Sequence, residues 1–585
     1  MLRFLGNVLS TVIGLFVFIL LLFFGIVIIG SITGGEETYV AKENSVIELD
    51  LSNVQYDYAG KVKFKDFAFA EDENNGLFDI IKAIEFAKTD DNIKGISIVN
   101  NDSSLGLAQI KALHDALEDF KTSKKFVYSY ADVYSQKNYY LNSVANTIYL
   151  NPIGEFDFKG LGAEIMFYKD FQEKSGLKAE VIRHGKYKSA VEPFLENKLS
   201  DANKEQTSAL LNSLWNSIVV DISKSRSISV EKLNTIADGL LARTPEMAKN
   251  EKLIDVIAYE DEYHNAIKKA LKVADTDDYE SVLIEEYASY IAKTELKIEK
   301  DKIAIIYAQG EIMNGEGDVN IIAEGSMRRA IDEARNDDEI KAIVLRVNSP
   351  GGSALTSELI WRELELTKKV KPIVVSMGNY AASGGYYIAC NANQIFAESS
   401  TITGSIGVFG LLPNFTQAAN KIGLNVEQVK THQNASEYSP FKPLDANFRA
   451  FAQEGVEKIY DVFITRVANG RKMTKAAVDS IGQGRVWSGQ DALKIGLVDK
   501  IGGLDDAIKA AAVLGKTKKY STVNFPEYEK DFNDLFEKLM PFAQSKQSLI
   551  ETEIGKENYK LLQHIKQLSL QKGIQAKMNY ELKIE

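Results

Sequence analysis

Short apolar runs alternate with amphipathic stretches of helical period along most of this chain. Residues 342–347 form one apolar run, residues 355–368 carry a helical pattern, and residues 372–377 form the next run. A helical segment follows Ser383, and residues 394–397 are a further short apolar run. Runs of four to six apolar residues bounded by polar turns predict buried strands, and the intervening 3.6-residue period predicts helices. Strand–helix–strand crossovers of this kind make parallel sheets with helices on both faces, so the predicted class is α/β. One segment breaks the pattern: residues 11–32 carry no charge and are dominated by Leu, Ile, Val and Phe. That length matches the roughly 20 residues that span a bilayer, and the stretch reads as a transmembrane helix. A cleaved secretory signal is the alternative, but its apolar region is usually ~7–15 residues and ends in small residues. Arg3 lies on one side and Glu36-Glu37 on the other, which favours a cytoplasmic N-terminus and places the bulk of the chain outside the cytoplasm.

The alternating pattern occurs twice. Residues 83–94 match residues 330–341, and the offset of 247 holds without gaps through to Pro193-Phe194 against Pro440-Phe441. A looser match of 239–243 and 253–255 to 484–488 and 497–499 extends the repeat, with small indels shifting the register. At 585 residues the chain exceeds what one core supports, and two copies of about 200 residues fit ordinary domain sizes. The expected organisation is an anchor over 1–40, a first α/β copy over 41–290, a second over 300–515 and an extension over 516–585. Within the extension Phe525, Tyr528, Phe532, Leu535 and Leu539 predict an amphipathic packing helix, with an assembly or membrane-surface role as the alternative.

Composition narrows the function. The net charge is −12, and no Lys/Arg-rich run with interleaved aromatics occurs, which excludes nucleic acid as a partner. Cys390 is the single cysteine, so no intrachain disulfide can form, and its apolar neighbours make it inert packing.

Candidate chemistry emerges where the copies differ. Asn379-Tyr380-Ala381-Ala382-Ser383-Gly384-Gly385-Tyr386-Tyr387 lies opposite Asp132-Val133-Tyr134-Ser135-Gln136-Lys137-Asn138-Tyr139-Tyr140, so Ser383 faces Gln136. Tyr187-Lys188-Ser189-Ala190-Val191-Glu192-Pro193-Phe194 lies opposite Asn434-Ala435-Ser436-Glu437-Tyr438-Ser439-Pro440-Phe441, so Lys188 faces Ala435. The serine survives in one copy and the lysine in the other, a reciprocal loss that points to one composite site. Ser383 follows a strand and opens a helix, where the Gly384 N–H can face a developing oxyanion and the missing side chain admits a substrate. A second donor can come from the turn Asn348-Ser349-Pro350-Gly351-Gly352. Either turn alone is an ordinary tight turn. The five histidines, His114, His184, His264, His432 and His564, share no motif with an acid, so a lysine must be considered, and Lys188 is the candidate. To serve, it must be buried enough to lower its pKa from about 10.4. In isolation such a lysine is a solvated surface residue; the reciprocal loss is what argues otherwise.

These two motifs, with Thr403-Gly404-Ser405-Ile406-Gly407-Val408, resemble the signal peptide peptidase A (protease IV) family in its long duplicated form, over most of residues 40–515. The resemblance implies a tandem Clp-protease/crotonase-like fold and a serine/lysine dyad. In it Ser383 matches the nucleophile, Lys188 the general base and Ser405 the serine that orients the lysine. Gly384, with Gly351 or Gly352, matches the oxyanion donors. It also implies no metal and no organic cofactor, hydrophobic peptides such as spent signal peptides as substrates, and anchoring in the bacterial inner membrane with the catalytic domains towards the periplasm. Homo-oligomers, a tetramer among them, are implied as well. The first copy has Asn100-Asn101-Asp102-Ser103-Ser104 opposite Val347-Asn348-Ser349-Pro350-Gly351 and is expected to lack an oxyanion site. Two competing readings are a crotonase-like acyl-CoA enzyme, which needs neither Ser383 nor Lys188, and a non-catalytic membrane scaffold. Whether the dyad forms within one chain or between chains is open at this stage.

Overall fold

The computed structural model describes residue 10 and residues 13–18, 42–64, 67–73, 76–101, 103–274, 276–294, 299–435, 438–530 and 575–578. Met1–Lys42 and Glu43–Glu585 are separate compact units. Of the apolar stretch 11–32 only residues 13–18 are described, and they are helical; the rest of the expected membrane helix lies outside the described residues. Among the described residues no helix is long and apolar enough to cross a membrane.

The larger unit contains two sheets of matching design. The first runs Val256–Ile257, Thr147–Phe156, Phe126–Tyr134, Ile93–Val99, Ser45–Glu48, Ser281–Leu283, with every pairing parallel. The second runs Val486–Ser488, Ile402–Gly404, Ile373–Ala382, Ile340–Ser349, Lys302–Gln309, Ser521–Phe525. Gln394–Ala397 also pairs with Ile373–Ala382 and in turn carries Lys500–Ile501. Only the pairing of Val486–Ser488 with Ile402–Gly404 is antiparallel. The helices Leu107–Lys121 and Ala354–Lys368 have equal length at the sequence offset of 247 (354 − 107). The long helices Asp201–Arg226 and Ala446–Arg471 are both 26 residues, capped by the side chains of Ser200 and Asp445.

The apolar runs are continuous because both faces of the second sheet are covered. Ile343, Leu345 and Val347 face a core shared with Ile360, Leu364, Phe463 and Val467. Ala342 and Val344 face the opposite side, where Tyr58 and Phe78 of the first copy pack together with Ala507, Ile508 and Ala511. Period-2 alternation is therefore lost in the sequence, as expected for a parallel sheet between two layers.

The copies are joined at several places. A third sheet runs Ile321–Ala323, Glu311–Met313, Gly351–Ser353, Gln575–Lys577, Val408–Asn414, Lys178–His184, so a first-copy strand closes on a second-copy strand. A small sheet pairs Lys61–Phe64 of the first copy with Glu527–Lys530. Between these lies a buried ion pair: Asp57 Oδ2 accepts from Arg346 Nε at 2.8 Å, with both side chains less than 5% exposed. Gln109 Nε2 donates to the second oxygen of Asp57, and Arg346 Nη1 donates to Ser376 Oγ and to the Met377 carbonyl.

The start of the C-terminal extension differs from the expected helix. Phe525 and Tyr528 lie on the strands Ser521–Phe525 and Glu527–Lys530, while Phe532, Leu535 and Leu539 lie outside the described residues. Ser521–Phe525 covers the open edge of Lys302–Gln309, just as Ser281–Leu283 covers Ser45–Glu48. An unpaired parallel edge, together with β-favouring Thr522, Val523 and Phe525, outweighs the helical spacing.

Candidate active site

The central strand Ile373–Ala382 delivers Ser383 to the boundary between the copies. At Ser383 the backbone turns with φ 55° and ψ −115°, and the chain enters the helix Gly384–Ala389. A non-glycine residue in this conformation is strained, and it is held by bonds on both sides. Its N–H donates to the Gly404 carbonyl at 2.8 Å, and its carbonyl accepts from the Tyr387 N–H at 2.9 Å. The turn also needs Gly385, because a Cβ there would lie 2.8 Å from the Ser349 carbonyl oxygen.

Lys188 comes from the first copy. The strand Lys178–His184 pairs antiparallel with Val408–Asn414, in register from His184 against Val408 to Lys178 against Asn414, and so carries Lys188 across the boundary. Its side chain is 1% exposed. Nζ donates to Ser383 Oγ at 2.9 Å, to Ser405 Oγ at 3.0 Å and to the Ser405 carbonyl at 3.2 Å. Ser383 Oγ also lies 3.4 Å from the Gly407 carbonyl, to which it can donate. The Phe409 ring centroid is 5.8 Å from Nζ. Burial in these surroundings pulls the ammonium pKa down to about 7, so a large fraction of the amine is neutral near neutral pH. The meeting of Lys188 and Ser383 occurs within one chain.

Gly351 and Gly352 both have positive φ, +99° and +156°. A Cβ on Gly351 would sit 2.8 Å from the Gly384 nitrogen, which brings the two glycine-bearing turns together beside Ser383. The Gly351 N–H is engaged by Ser349 Oγ at 3.1 Å. Gly352 lies in the strand pairing opposite Ala576, and Gly384 opens the helix directly after Ser383. Among the described residues no cluster of His, Cys, Asp and Glu could hold a metal ion. Cys390 is buried, and burial pushes its thiol up to about 12, as inert packing requires.

One supporting element was not read in the sequence. The segment 482–486 of the second copy lies against the backbone that bears Lys188. Gln483 accepts from the Tyr187 N–H at 2.9 Å, and Gly484 donates to Ile406 at 2.7 Å. A Cβ on Gly484 would lie 2.6 Å from the N, Cα and Cβ of Lys188. Gln206 binds both sides of this seam: Nε2 donates to the Tyr187 carbonyl and Ser189 Oγ, and Oε1 accepts from the Val486 N–H. Gly484 aligns with Gly239 in the repeat, and nothing in one sequence marks it as a contact for lysine.

A duplicated α/β protein whose copies join a serine and a buried lysine defines the class as hydrolytic, and the comparisons agree. Peptidase family S49 matches residues 119–274 and 365–518, once in each copy, and the chain belongs to that family and is a serine peptidase. It is 39% identical over 458 residues to Protease 4 of Salmonella typhi, covering 77% of this chain and 73% of that protein. It is 35% identical over 531 residues to Protease 4 of Haemophilus influenzae, covering 86% and 84%. The chloroplastic serine protease SPPA of Arabidopsis thaliana is 31% identical over 505 residues, covering 84% of this chain and 72% of the relative. A solved structure of a ClpP1 mutant from Listeria monocytogenes covers 35% of this chain and 94% of that one, at 14% identity and a TM-score of 0.24, too slight a likeness to argue from. The α/β class and its two S49 regions stand on the sheets and the family match.

Proposed function

We propose that the chain hydrolyses peptides with Ser383 as nucleophile and Lys188 as general base, residues 41–290 supplying the lysine and 300–515 the serine. The observation that carries this reading is the 2.9 Å contact between a fully buried lysine amine and the serine hydroxyl. Neutral Lys188 accepts the Ser383 hydroxyl proton as Oγ attacks the peptide carbonyl carbon. The oxyanion is met by the Gly384 and Gly352 amides, with Gly351 framing the turn. The C–N bond breaks as Lys188 returns the proton to the leaving amine, and water, deprotonated by the same lysine, hydrolyses the acyl-enzyme. Ser405 aims the amine: its hydroxyl and carbonyl accept two N–H bonds, which directs the lone pair at Ser383. No metal or organic cofactor takes part.

The proposed substrates are hydrophobic peptides such as signal peptides released after preprotein processing. The proposed setting is the bacterial inner membrane, with a single N-terminal span over residues 11–32, catalytic domains facing the periplasm and a homo-oligomeric assembly. Support comes from the uncharged apolar stretch and its flanking charges, and from relatives named Protease 4 and SPPA. The test is cleavage of a detergent-solubilised signal peptide by the wild-type, Ser383→Ala and Lys188→Ala proteins, with folding checked by circular dichroism. Loss of turnover in both folded variants is expected. Retained turnover in either would remove that residue from the mechanism, and an acyl-CoA activity untouched by both would favour the crotonase-like alternative.

A further inference from the structure

Gln575–Lys577 is a strand outside the repeat, separated from Lys530 by 44 residues of sequence (residues 531–574). It fills a slot one strand wide. On one side it pairs antiparallel with Gly351–Ser353, Lys577 opposite Gly351, Ala576 opposite Gly352 and Gln575 opposite Ser353. On the other, Gln575 pairs with Phe409 of Val408–Asn414. The Met578 N–H donates to the Pro350 carbonyl at 2.8 Å, and Lys577 Nζ pairs with Glu311 Oε2 at 2.8 Å. All four residues are buried.

Both edges of this slot belong to the candidate active site. Gly351-Gly352 forms one, and the strand that follows Ser405-Ile406-Gly407 forms the other. Two facing strand edges hold an extended peptide through its main chain, which suits a site that must accept many sequences. The seated segment places one carbonyl at the centre of the site. A Cβ on Gly351 would lie 2.2 Å from the Ala576 carbonyl oxygen, and a Cβ on Gly384 would lie 3.1 Å from it. The oxygen thus rests against the two glycine turns that flank Ser383, where a scissile carbonyl must rest.

We propose that Gln575–Met578 is a built-in occupant of the substrate strand site, with Ala576 at the acyl position and Lys577 on the leaving side, and that it inhibits the full chain by competition. The proposal rests on the reading of Ser383 and Lys188 given above and deepens it: substrates bind as an antiparallel strand between 351–353 and 408–414, with a small residue donating the acyl group.

The test compares hydrolysis of an apolar peptide by the full chain, by a chain ending at Ile574, and by Lys577→Glu, which keeps the full length but sets a carboxylate against Glu311. The shortened chain is expected to show a KM lower by about ten-fold or more with kcat little changed, because the free site is no longer a minor population. Lys577→Glu is expected to move KM in the same direction even where the shortened chain folds poorly. In parallel, a fluorescent synthetic peptide spanning residues 571–582 is titrated into the shortened chain carrying Ser383→Ala. Saturable binding, displaced by the apolar substrate, supports the proposal, as does cleavage of that peptide between Ala576 and Lys577 by the active shortened chain. Equal KM in the full chain and Lys577→Glu, with no binding of the peptide, overturns it. If no form hydrolyses any peptide while the synthetic peptide still binds, the peptidase mechanism fails and the occupancy stands.

Discussion

The two copies share a sheet design and its main helices, yet at equivalent positions one brings a serine to a buried lysine and the other builds a sealed turn. In the second copy Ser383 caps its helix at φ 55° with its side chain making no cap bond, which leaves Oγ to Lys188. In the first, Ser135 is the cap at φ −64° and accepts from the Asn138 N–H. Gln136, the counterpart of Ser383, is 2% exposed and fully engaged: it donates to the Gly160 carbonyl and accepts from the N–H groups of Lys159 and Gly160. The glycine turn is closed too. Leu105 stands buried where the second copy has Gly352, and Lys137 stands where it has Gly384, donating to the Ser103 carbonyl at 2.6 Å. Removing strain and filling the glycine positions turns the same scaffold from a site into a support.

The asymmetry of the lysine is sharper. Lys188 follows the strand Lys178–His184, whereas residues 425–431 at the same offset form no strand, and Ala435 is exposed. Moving the lysine should therefore fail. Lys188→Ala is expected to lower kcat by about a thousand-fold or more, and adding Ala435→Lys should restore nothing, since that position is exposed whereas Ser383 is buried; recovered turnover in the double variant would break the comparison. The pH dependence follows from burial. With the Lys188 pKa at about 7, the neutral base accumulates as pH rises, so kcat/KM should climb with a midpoint near 7. The stability linkage has the matching sign. The folded pKa lies below the unfolded value of about 10.4, so between them the unfolded chain binds the extra proton and stability rises with pH. A Lys188→Met protein should then be more stable than wild type near pH 7 by roughly 2–4 kcal/mol, the gap closing towards pH 10 in denaturation midpoints.

The seam between copies is the next place to press. Arg346 belongs to the second copy and has Val99 as its first-copy counterpart, so only one copy needs Asp57. Asp57→Ala leaves a guanidinium buried without its carboxylate and should cost about 3–5 kcal/mol. Chemical denaturation with separate probes in each copy reads this, and an unshifted midpoint would mean that water reaches Arg346. Gly484→Ala acts closer to the chemistry, because its Cβ would push on the Lys188 backbone from 2.6 Å. A displacement of this size should lower kcat by roughly ten- to a hundred-fold with KM nearly unchanged, whereas the matching Gly239→Ala, at φ −90°, should leave kinetics intact.

The α/β class, the duplication and the meeting of Ser383 with Lys188 were legible because each leaves a linear signature: apolar runs, a constant offset, and two motif positions altered in opposite copies. The supports of the site were not. Gly484, Gln206 and Asp57 act through contacts more than 200 residues away along the chain, and their types are common in turns, helices and surfaces. The start of the extension departs from its helical spacing for a related reason. Phe525 and Tyr528 have helical spacing, but the open edges of Lys302–Gln309 and Lys61–Phe64 claim them as strands. The Gly351 amide illustrates a finer limit, since sequence proposes it as a donor and only its bond to Ser349 Oγ shows it occupied.

The smallest expected effect concerns the strain itself. Ser383 holds a positive φ that glycine adopts without a steric cost, whereas Ser135 in the first copy sits in an ordinary extended conformation. Ser383→Gly should therefore abolish activity and yet stabilise the fold, by about 1 kcal/mol after the greater flexibility of an unfolded glycine chain offsets part of the relief. Ser135→Gly should do the reverse, losing a cap bond with no strain to relieve, at about 1 kcal/mol of destabilisation. Thermal midpoints of the two variants, compared with Ser383→Ala to remove the contribution of the Lys188 hydrogen bond, decide the matter. If Ser383→Gly is less stable than Ser383→Ala, the turn is held without strain and the contrast between the copies lies in the glycines and the lysine alone.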